Sequence, residues 1–159
     1  MNNLQIISST KEFYFKFCQE NEQYNNKKGI LRGLHYQIEP HAQAKLIHVA
    51  KGKVLNIAVD IRKNSKNFGK HISIELEENS KKYIFIPKGY AHGYITLSNK
   101  SILIYKVNEY FYDEFMKGIA YDDKYLNIDW RFSQNDIIVS DRDSKNPKFK
   151  DILSYKGSV

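Results

Sequence analysis

Three short clusters in this chain carry side chains able to move protons or hold anions. Gly29-Ile30-Leu31-Arg32-Gly33-Leu34-His35-Tyr36-Gln37 puts a guanidinium and an imidazole on one strand-like run. Pro87-Lys88-Gly89-Tyr90-Ala91-His92-Gly93-Tyr94 is a turn feeding a second run with another imidazole, and Tyr105-Lys106-Val107-Asn108-Glu109-Tyr110 places a phenol inside a third. Imidazole ordinarily titrates near neutral pH, which suits a group that takes and returns a proton. The planar fork of Arg suits phosphate oxygens. Each residue also has a plain structural reading. A strand His can simply be hydrogen-bonded within its sheet, a strand Tyr is commonly a core side chain with a wet tip, and Arg32 could close a salt bridge. Taken singly, none establishes catalysis.

The remainder of the chain must position these groups. Its 159 residues match one compact domain, so residues 1–159 are expected to form a single unit. With 42% hydrophobic and 27% charged residues the chain can build a core inside a solvated surface, which argues against disorder. The 12 Tyr and 9 Phe sit in runs with Ile and Val, which favours β-structure. Strands are expected over Phe13 to Gln19, Ile30 to Tyr36, Ala44 to Ala50, Lys53 to Ile61, His71 to Leu76, Tyr83 to Ile86, His92 to Leu97 and Ile102 to Tyr112. Lys51-Gly52 reads as a hairpin turn, and Asn64 to Gly69 and Pro87 to Gly89 as loops. In the Lys53 to Ile61 run, Leu55, Ile57, Val59 and Ile61 share one face while Asn56, Ala58 and Asp60 share the other. A barrel holding a ligand inside needs such a partly polar face. A helix is expected only in the tail, from about Ser144 to Tyr155, with Pro147 restricting its start. The fold class is therefore all-β, an antiparallel sandwich or barrel with a short C-terminal helix.

Charge and cysteine content narrow the partners. The net charge of +7 would suit nucleic acid, an anionic membrane or a phosphorylated small molecule. The lysines are scattered and no nucleic-acid signature is present, so a phosphate-bearing small molecule is the simpler expectation. Cys18 is the single cysteine, which excludes an intrachain disulfide and a cysteine metal cluster. Met1-Asn2-Asn3-Leu4 lacks the basic and apolar pattern of a secretory signal, and no run is long enough to span a bilayer. A soluble cytoplasmic protein with no membrane partner is expected.

Together the clusters resemble the dTDP-4-dehydrorhamnose 3,5-epimerase family and its relatives acting on other 4-keto sugar nucleotides. Gly29 to Gln37 looks like the family's G-V-L-R-G-L-H-Y-Q segment with only Ile30 differing. Gln43-Ala44-Lys45-Leu46 is similar to Q-x-K-L, and Val59-Asp60-Ile61-Arg62 with Phe68-Gly69-Lys70 to V-D-L-R and F-G-K. Ile86 to Gly93 is similar to V-P-x-G-F-A-H-G, and Tyr105 to Tyr110 to Y-K-x-T-D-Y. Gly118-Ile119, Asp122-Asp123, Ile128-Asp129-Trp130 and Ser140-Asp141-Arg142-Asp143 follow in the family's order, so the resemblance runs from about Phe17 to Pro147.

The resemblance implies a cupin-like jelly-roll barrel, a homodimer, and a nucleotide-diphosphate sugar as substrate, with no cofactor and no metal. The sequence is in keeping with the last point, since Gln37 stands where the H-x-H pair of a metal cupin would have its second ligand. A 4-keto group acidifies the neighbouring C3 and C5 protons. Epimerisation removes one through an enolate and returns one to the opposite face, which needs a base, an acid and positive charge at the oxyanion. By resemblance His35 is the base, Asp143 the carboxylate that orients it, Tyr105 the acid, and Lys45 the enolate's cation. Arg32 and His92 match positions near the sugar and phosphates. Gln37, Asn56 and Phe111 complete the expected substrate-binding set.

The sequence also departs from the family pattern. Members begin with a longer segment bearing an R-G-F-F-x-E loop, of which Lys11-Glu12-Phe13-Tyr14-Phe15 is at best a remnant without the Arg. Phe111 stands where many members have a second active-site Tyr, and Asn56 replaces a common Asp. These changes leave open inversion at C3, at C5 or at both, on dTDP-4-dehydro-6-deoxyglucose or a related GDP-linked 4-keto-heptose. Two other readings stand beside them: a 4-keto sugar-nucleotide ketoisomerase and a non-catalytic cupin that binds a sugar nucleotide.

Overall fold

The computed structural model describes residues 3–8 and 14–152. Its strands are β1 (Gln5–Ser8), β2 (Gln19–Asn25), β3 (Ile30–Gln37), β4 (Lys45–Lys51), β5 (Lys53–Asp60), β6 (His71–Glu77), β7 (Lys82–Ile86), β8 (Tyr90–Thr96), β9 (Ser101–Val107), β10 (Met116–Gly118) and β11 (Ile138–Val139). One sheet runs β1-β7-β4-β9-β2 and the other β10-β3-β8-β5-β6, with β11 added in parallel along β3. The remaining pairings are antiparallel. This is the expected all-β, cupin-like jelly-roll barrel.

The alternation read in β5 decides what each face covers. Leu55, Ile57 and Val59 pack with Ile61, Leu31, Ile95, Ile119, Trp130 and Phe149, so the outer face of the second sheet is roofed by the chain after β10. Val54 and Ala58 point the other way, against Ile47, Ile84 and Leu103 of the first sheet. Two apolar layers thus flank one sheet, and Val54 to Asp60 are buried on both faces. Full burial of each large aliphatic is worth about 1.5–3 kcal/mol.

Three expectations are corrected. Phe13 lies outside the described residues, and residues 14–18 form no strand; pairing with β9 begins at Gln19. The run expected to reach Tyr112 leaves the sheet after Val107, where β2 and β4 both stop pairing with it. The tail helix does not form over the described part of Ser144 to Tyr155. Instead α1 (Asp141–Ser144) ends where it was to begin, and a 3-10 turn covers Phe149–Asp151. The cause is docking: Ala120 N–H donates to the Pro147 carbonyl at 2.8 Å, and Phe149 N–H donates to the Asp123 carboxylate at 2.8 Å. With Phe149 buried, these tertiary anchors hold the backbone on a non-helical path that a single short turn could not outweigh. Strand β1, which the sequence pattern did not reveal, adds to the edge of β7.

Candidate active site

Arg32 and His35 are three residues apart, so on a regular strand they would point to opposite faces. The register shows why they do not: Arg32 pairs with Tyr94 and His35 with His92, three steps on β3 against two on β8. The extra residue is a bulge, which bends the strand and brings both side chains to the interior face. Gly33 makes it feasible. Its φ is +112°, and a Cβ there would lie 2.6 Å from the Cα of Gly93 and 2.7 Å from the His92 carbonyl oxygen.

The bulge also exposes a backbone donor. Gly33 N–H donates to Oδ2 of Asp143 at 3.0 Å, while Oδ1 of the same carboxylate lies 2.6 Å from Nε2 of His35. Asp143 sits on α1, whose N-cap Ser140 takes the Asp143 N–H on its hydroxyl. Burial alone would raise the Asp143 pKa. The hydrogen bond and charge of His35, then the Gly33 N–H, outweigh it and hold the carboxyl below the usual range. An ionised Asp143 accepting from Nε2–H leaves Nδ1 as the ring nitrogen that can exchange a proton.

The interior between the sheets at this end is a cavity of about 340 Å³. The second sheet contributes Arg32, His35 and His92, and the first contributes Lys45 and Tyr105. His35 and Tyr105 therefore face one cavity from different sheets. Tyr105 lies between Asn21 of β2 and Ile47 of β4. Burial raises its pKa, and Gln23 and Arg32 only partly offset this, so the phenol holds its proton at neutral pH. Burial brings the Lys45 ammonium down to about 8. His92 donates Nε2–H to Oδ1 of Asn56 at 3.2 Å. Burial first, then the charges of Lys45 and His35, hold its pKa well below the ordinary imidazole value, so it is neutral. Arg32 is exposed at the mouth, its Nε donating to Asn25 Oδ1 at 3.3 Å.

Of the remaining expected site residues, Phe111 lines the cavity and is half exposed. Asp143 reaches it only through His35, and Asn56 is buried behind His92. Gln37 does not join them. Its buried carboxamide is consumed by main-chain groups of His41, Tyr110 and Tyr112. The sequence reading missed Gln19, Asn21 and Gln23, which line the cavity from β2. The available signal was the alternation in Gln19-Glu20-Asn21-Glu22-Gln23, which places three carboxamides on one strand face and two carboxylates on the other.

Chemically the cavity pairs a carboxylate-backed imidazole with a protonated phenol from the facing sheet, beside an ammonium. That set can move a proton off one face of a carbon and onto the other while a cation holds an intervening oxyanion.

Comparison with known proteins shows the family. The family model for dTDP-4-dehydrorhamnose 3,5-epimerase matches residues 4–151. The dTDP-4-dehydrorhamnose 3,5-epimerase of Shigella flexneri is 43% identical over 136 residues, covering 86% of this chain and 74% of that protein. The crystal structure of the Elizabethkingia anophelis enzyme of that name superimposes with a TM-score of 0.83 at 39% identity, covering 86% of this chain and 74% of that one. The Legionella pneumophila dTDP-6-deoxy-D-glucose-3,5-epimerase, solved in complex with dTDP-4-keto-L-rhamnose, gives a TM-score of 0.85 at 35% identity over 91% of this chain and 77% of its own. On fold, site and sequence together, the chain belongs to the dTDP-4-dehydrorhamnose 3,5-epimerase family of isomerases.

Proposed function

We propose that this chain epimerises a dTDP-linked 4-keto-6-deoxy sugar at C3, C5 or both, with His35 as base and Tyr105 as acid. The observation that carries the residue roles is that both side chains line one cavity from opposite sheets, with Asp143 2.6 Å behind the imidazole. Nδ1 of His35 takes the proton from the carbon beside the ketone, and the C–H electron pair moves to form the enolate. Asp143 stabilises the imidazolium so formed. The Lys45 ammonium faces the enolate oxygen. Tyr105 Oη–H then protonates the same carbon from the other face, and solvent returns a proton to the phenolate and removes one from the imidazolium. Neutral His92, its Nε2–H held by Asn56, offers a ring nitrogen to a sugar hydroxyl. Arg32 and the β2 carboxamides suit the diphosphate and its neighbouring hydroxyls. Among the described residues β2 and β6 each end a sheet and could pair with a second copy, which supports a homodimer, and the epimerised sugar nucleotide would serve polysaccharide synthesis in the cytoplasm. No helix among the described residues is long and apolar enough to cross a membrane.

The test is solvent exchange. In heavy water with dTDP-4-dehydro-6-deoxyglucose, the product should gain one deuterium at each inverted carbon. A GDP-linked 4-keto sugar run in parallel reports nucleotide preference. No uptake on any ketone would leave a binding protein and end the proposal.

Lys45 yields a separate expectation. Because its folded pKa of about 8 lies below the ordinary lysine value, the charged form is present below about pH 8, and kcat should fall as pH rises through that point. The stability sign is opposite. Between about 8 and 10.5 the unfolded chain binds more protons than the folded one, so stability should rise with pH across that window. Lys45→Met should lower kcat by about 10²–10³-fold yet raise the thermal midpoint by a few degrees at pH 7, since a desolvated charge is gone. Steady-state kinetics and calorimetry check both halves.

A further inference from the structure

Between Val107 and the 3-10 turn Asp113–Phe115, the chain crosses the cavity mouth without strand pairing. Phe111 in this segment is the residue that lines the cavity, and it is half exposed. A half-exposed aromatic on an unpaired segment needs something to hold its backbone. Gln37 supplies it. Its Nε2 donates to the Tyr110 carbonyl at 3.0 Å and to the His41 carbonyl at 2.6 Å, and its Oε1 accepts from the Tyr112 N–H at 2.7 Å. The carbonyl of residue 110 and the N–H of residue 112 flank Phe111 and point to the same side in an extended chain, as they would toward a neighbouring strand. One carboxamide thus replaces a strand partner on both sides of a single residue.

We infer that Gln37 is a positioning residue that sets the orientation of Phe111, and through it the fit of the sugar nucleotide at the cavity mouth. Several features converge on that role. Gln37 is 4% exposed, so its polar atoms need these partners. It is the last residue of β3, two residues beyond His35, and pairs with Met116, which also lines the cavity. The clamp is therefore rigidly tied to the strand carrying the proposed base. Gln43 reinforces it from another side, donating Nε2–H to the Glu109 carbonyl at 2.8 Å. His41 adds a ring contact with Tyr112, centroids 3.9 Å apart. Only a carboxamide of this length offers donor and acceptor together. A carboxylate would meet two carbonyls with no proton to give, and a thioether would remove the bonds to the His41 carbonyl and the Tyr112 N–H and leave the Tyr110 carbonyl with only the longer 3.3 Å bond from Gln43.

The kinetic part rests on the epimerase reading; the spectroscopic part does not. With 4-fluorophenylalanine at position 111, the fluorine NMR spectrum of the otherwise unchanged chain should show one narrow line. Gln37→Met should broaden or split it without any ligand. In steady state, Gln37→Met should raise KM for dTDP-4-dehydro-6-deoxyglucose roughly tenfold and change kcat by less than about threefold, because binding and not proton transfer is disturbed. Phe111→Ala should reproduce that KM. The double variant should be no worse than either alone, since both remove one contact. Gln37→Asn keeps the amide one methylene short of spanning both groups and serves the same readouts should Gln37→Met fail to fold. An unchanged fluorine line in a folded Gln37 variant, or KM effects that multiply in the double variant, would overturn the inference. A sharp loss of kcat at constant KM would do so as well. Absence of epimerase activity in the parent chain would refute the proposed function while leaving the fluorine result to decide the positioning role.

Discussion

His35→Ala is expected to reduce kcat/KM for a 4-keto sugar nucleotide by about 10³–10⁴-fold and to abolish deuterium uptake from heavy water at every carbon it serves. The size follows from what is lost together. The ring nitrogen that takes the proton disappears, and the Asp143 carboxylate at 2.6 Å loses the imidazolium it would stabilise. Backbone integrity should survive, because Asp143 keeps the Gly33 N–H at 3.0 Å and the Ser140 cap remains. The thermal midpoint, read by calorimetry, should move little compared with the kinetic loss. Asp143→Asn is the informative companion. It preserves an acceptor for Gly33 yet cannot stabilise imidazolium, so its deficit should fall on kcat. An exchange-competent His35→Ala protein would place the base elsewhere.

Tyr105→Phe carries the second large effect, with a different signature. Only a hydroxyl is removed, so the aromatic ring still fills its place between β2 and β4. Inversion should slow by about 10²–10⁴-fold, the range for losing a positioned acid. The base remains intact, so deuterium should still wash into the unreacted substrate through return of the exchanged proton to its original face. Exchange without inversion is the expected pattern. Mass spectrometry gives the exchange rate and proton NMR of the sugar ring gives the configuration. The pH profile adds a check. Beyond the fall near pH 8 that Lys45 sets, the parent enzyme should show a second, steeper alkaline loss above the ordinary phenol range, because burial raises the Tyr105 phenol, and the variant should lack that second step. Full turnover in Tyr105→Phe would contradict its role.

The strands were legible where burial follows a simple period. Leu55, Ile57 and Val59 announced one covered face of β5, and Asn56 its interior face, because a fully sandwiched strand needs no other information. The site was legible as a set of residues, since Arg32, His35, Lys45, His92, Tyr105 and Phe111 do meet at one cavity. Their geometry was not. The Gly33 bulge that turns Arg32 and His35 the same way depends on a close approach to Gly93, a contact between distant segments that no local pattern encodes. Gln37 was misplaced for a similar reason. Its position two residues after His35 suggests the cavity, but an unpaired segment elsewhere in the chain captured its carboxamide. The β2 carboxamides give no such signal, because a strand polar on both faces has no apolar side to orient it, and only the cavity accounts for one of its two faces. The tail helix fails for the same kind of reason: the Asp123 and Ala120 anchors are contacts between distant segments that no local pattern shows.

In this mechanism imidazole and phenol stand on opposite sides of one carbon. A crystal structure of the His35→Asn protein soaked with its 4-keto sugar nucleotide measures this directly. The sugar ring should lie between the two sheets, with residue 35 and the Tyr105 hydroxyl each within about 4 Å of the same ring carbon and on opposite faces of it. A sugar bound with both groups on one face, or bound outside the cavity, would contradict this mechanism.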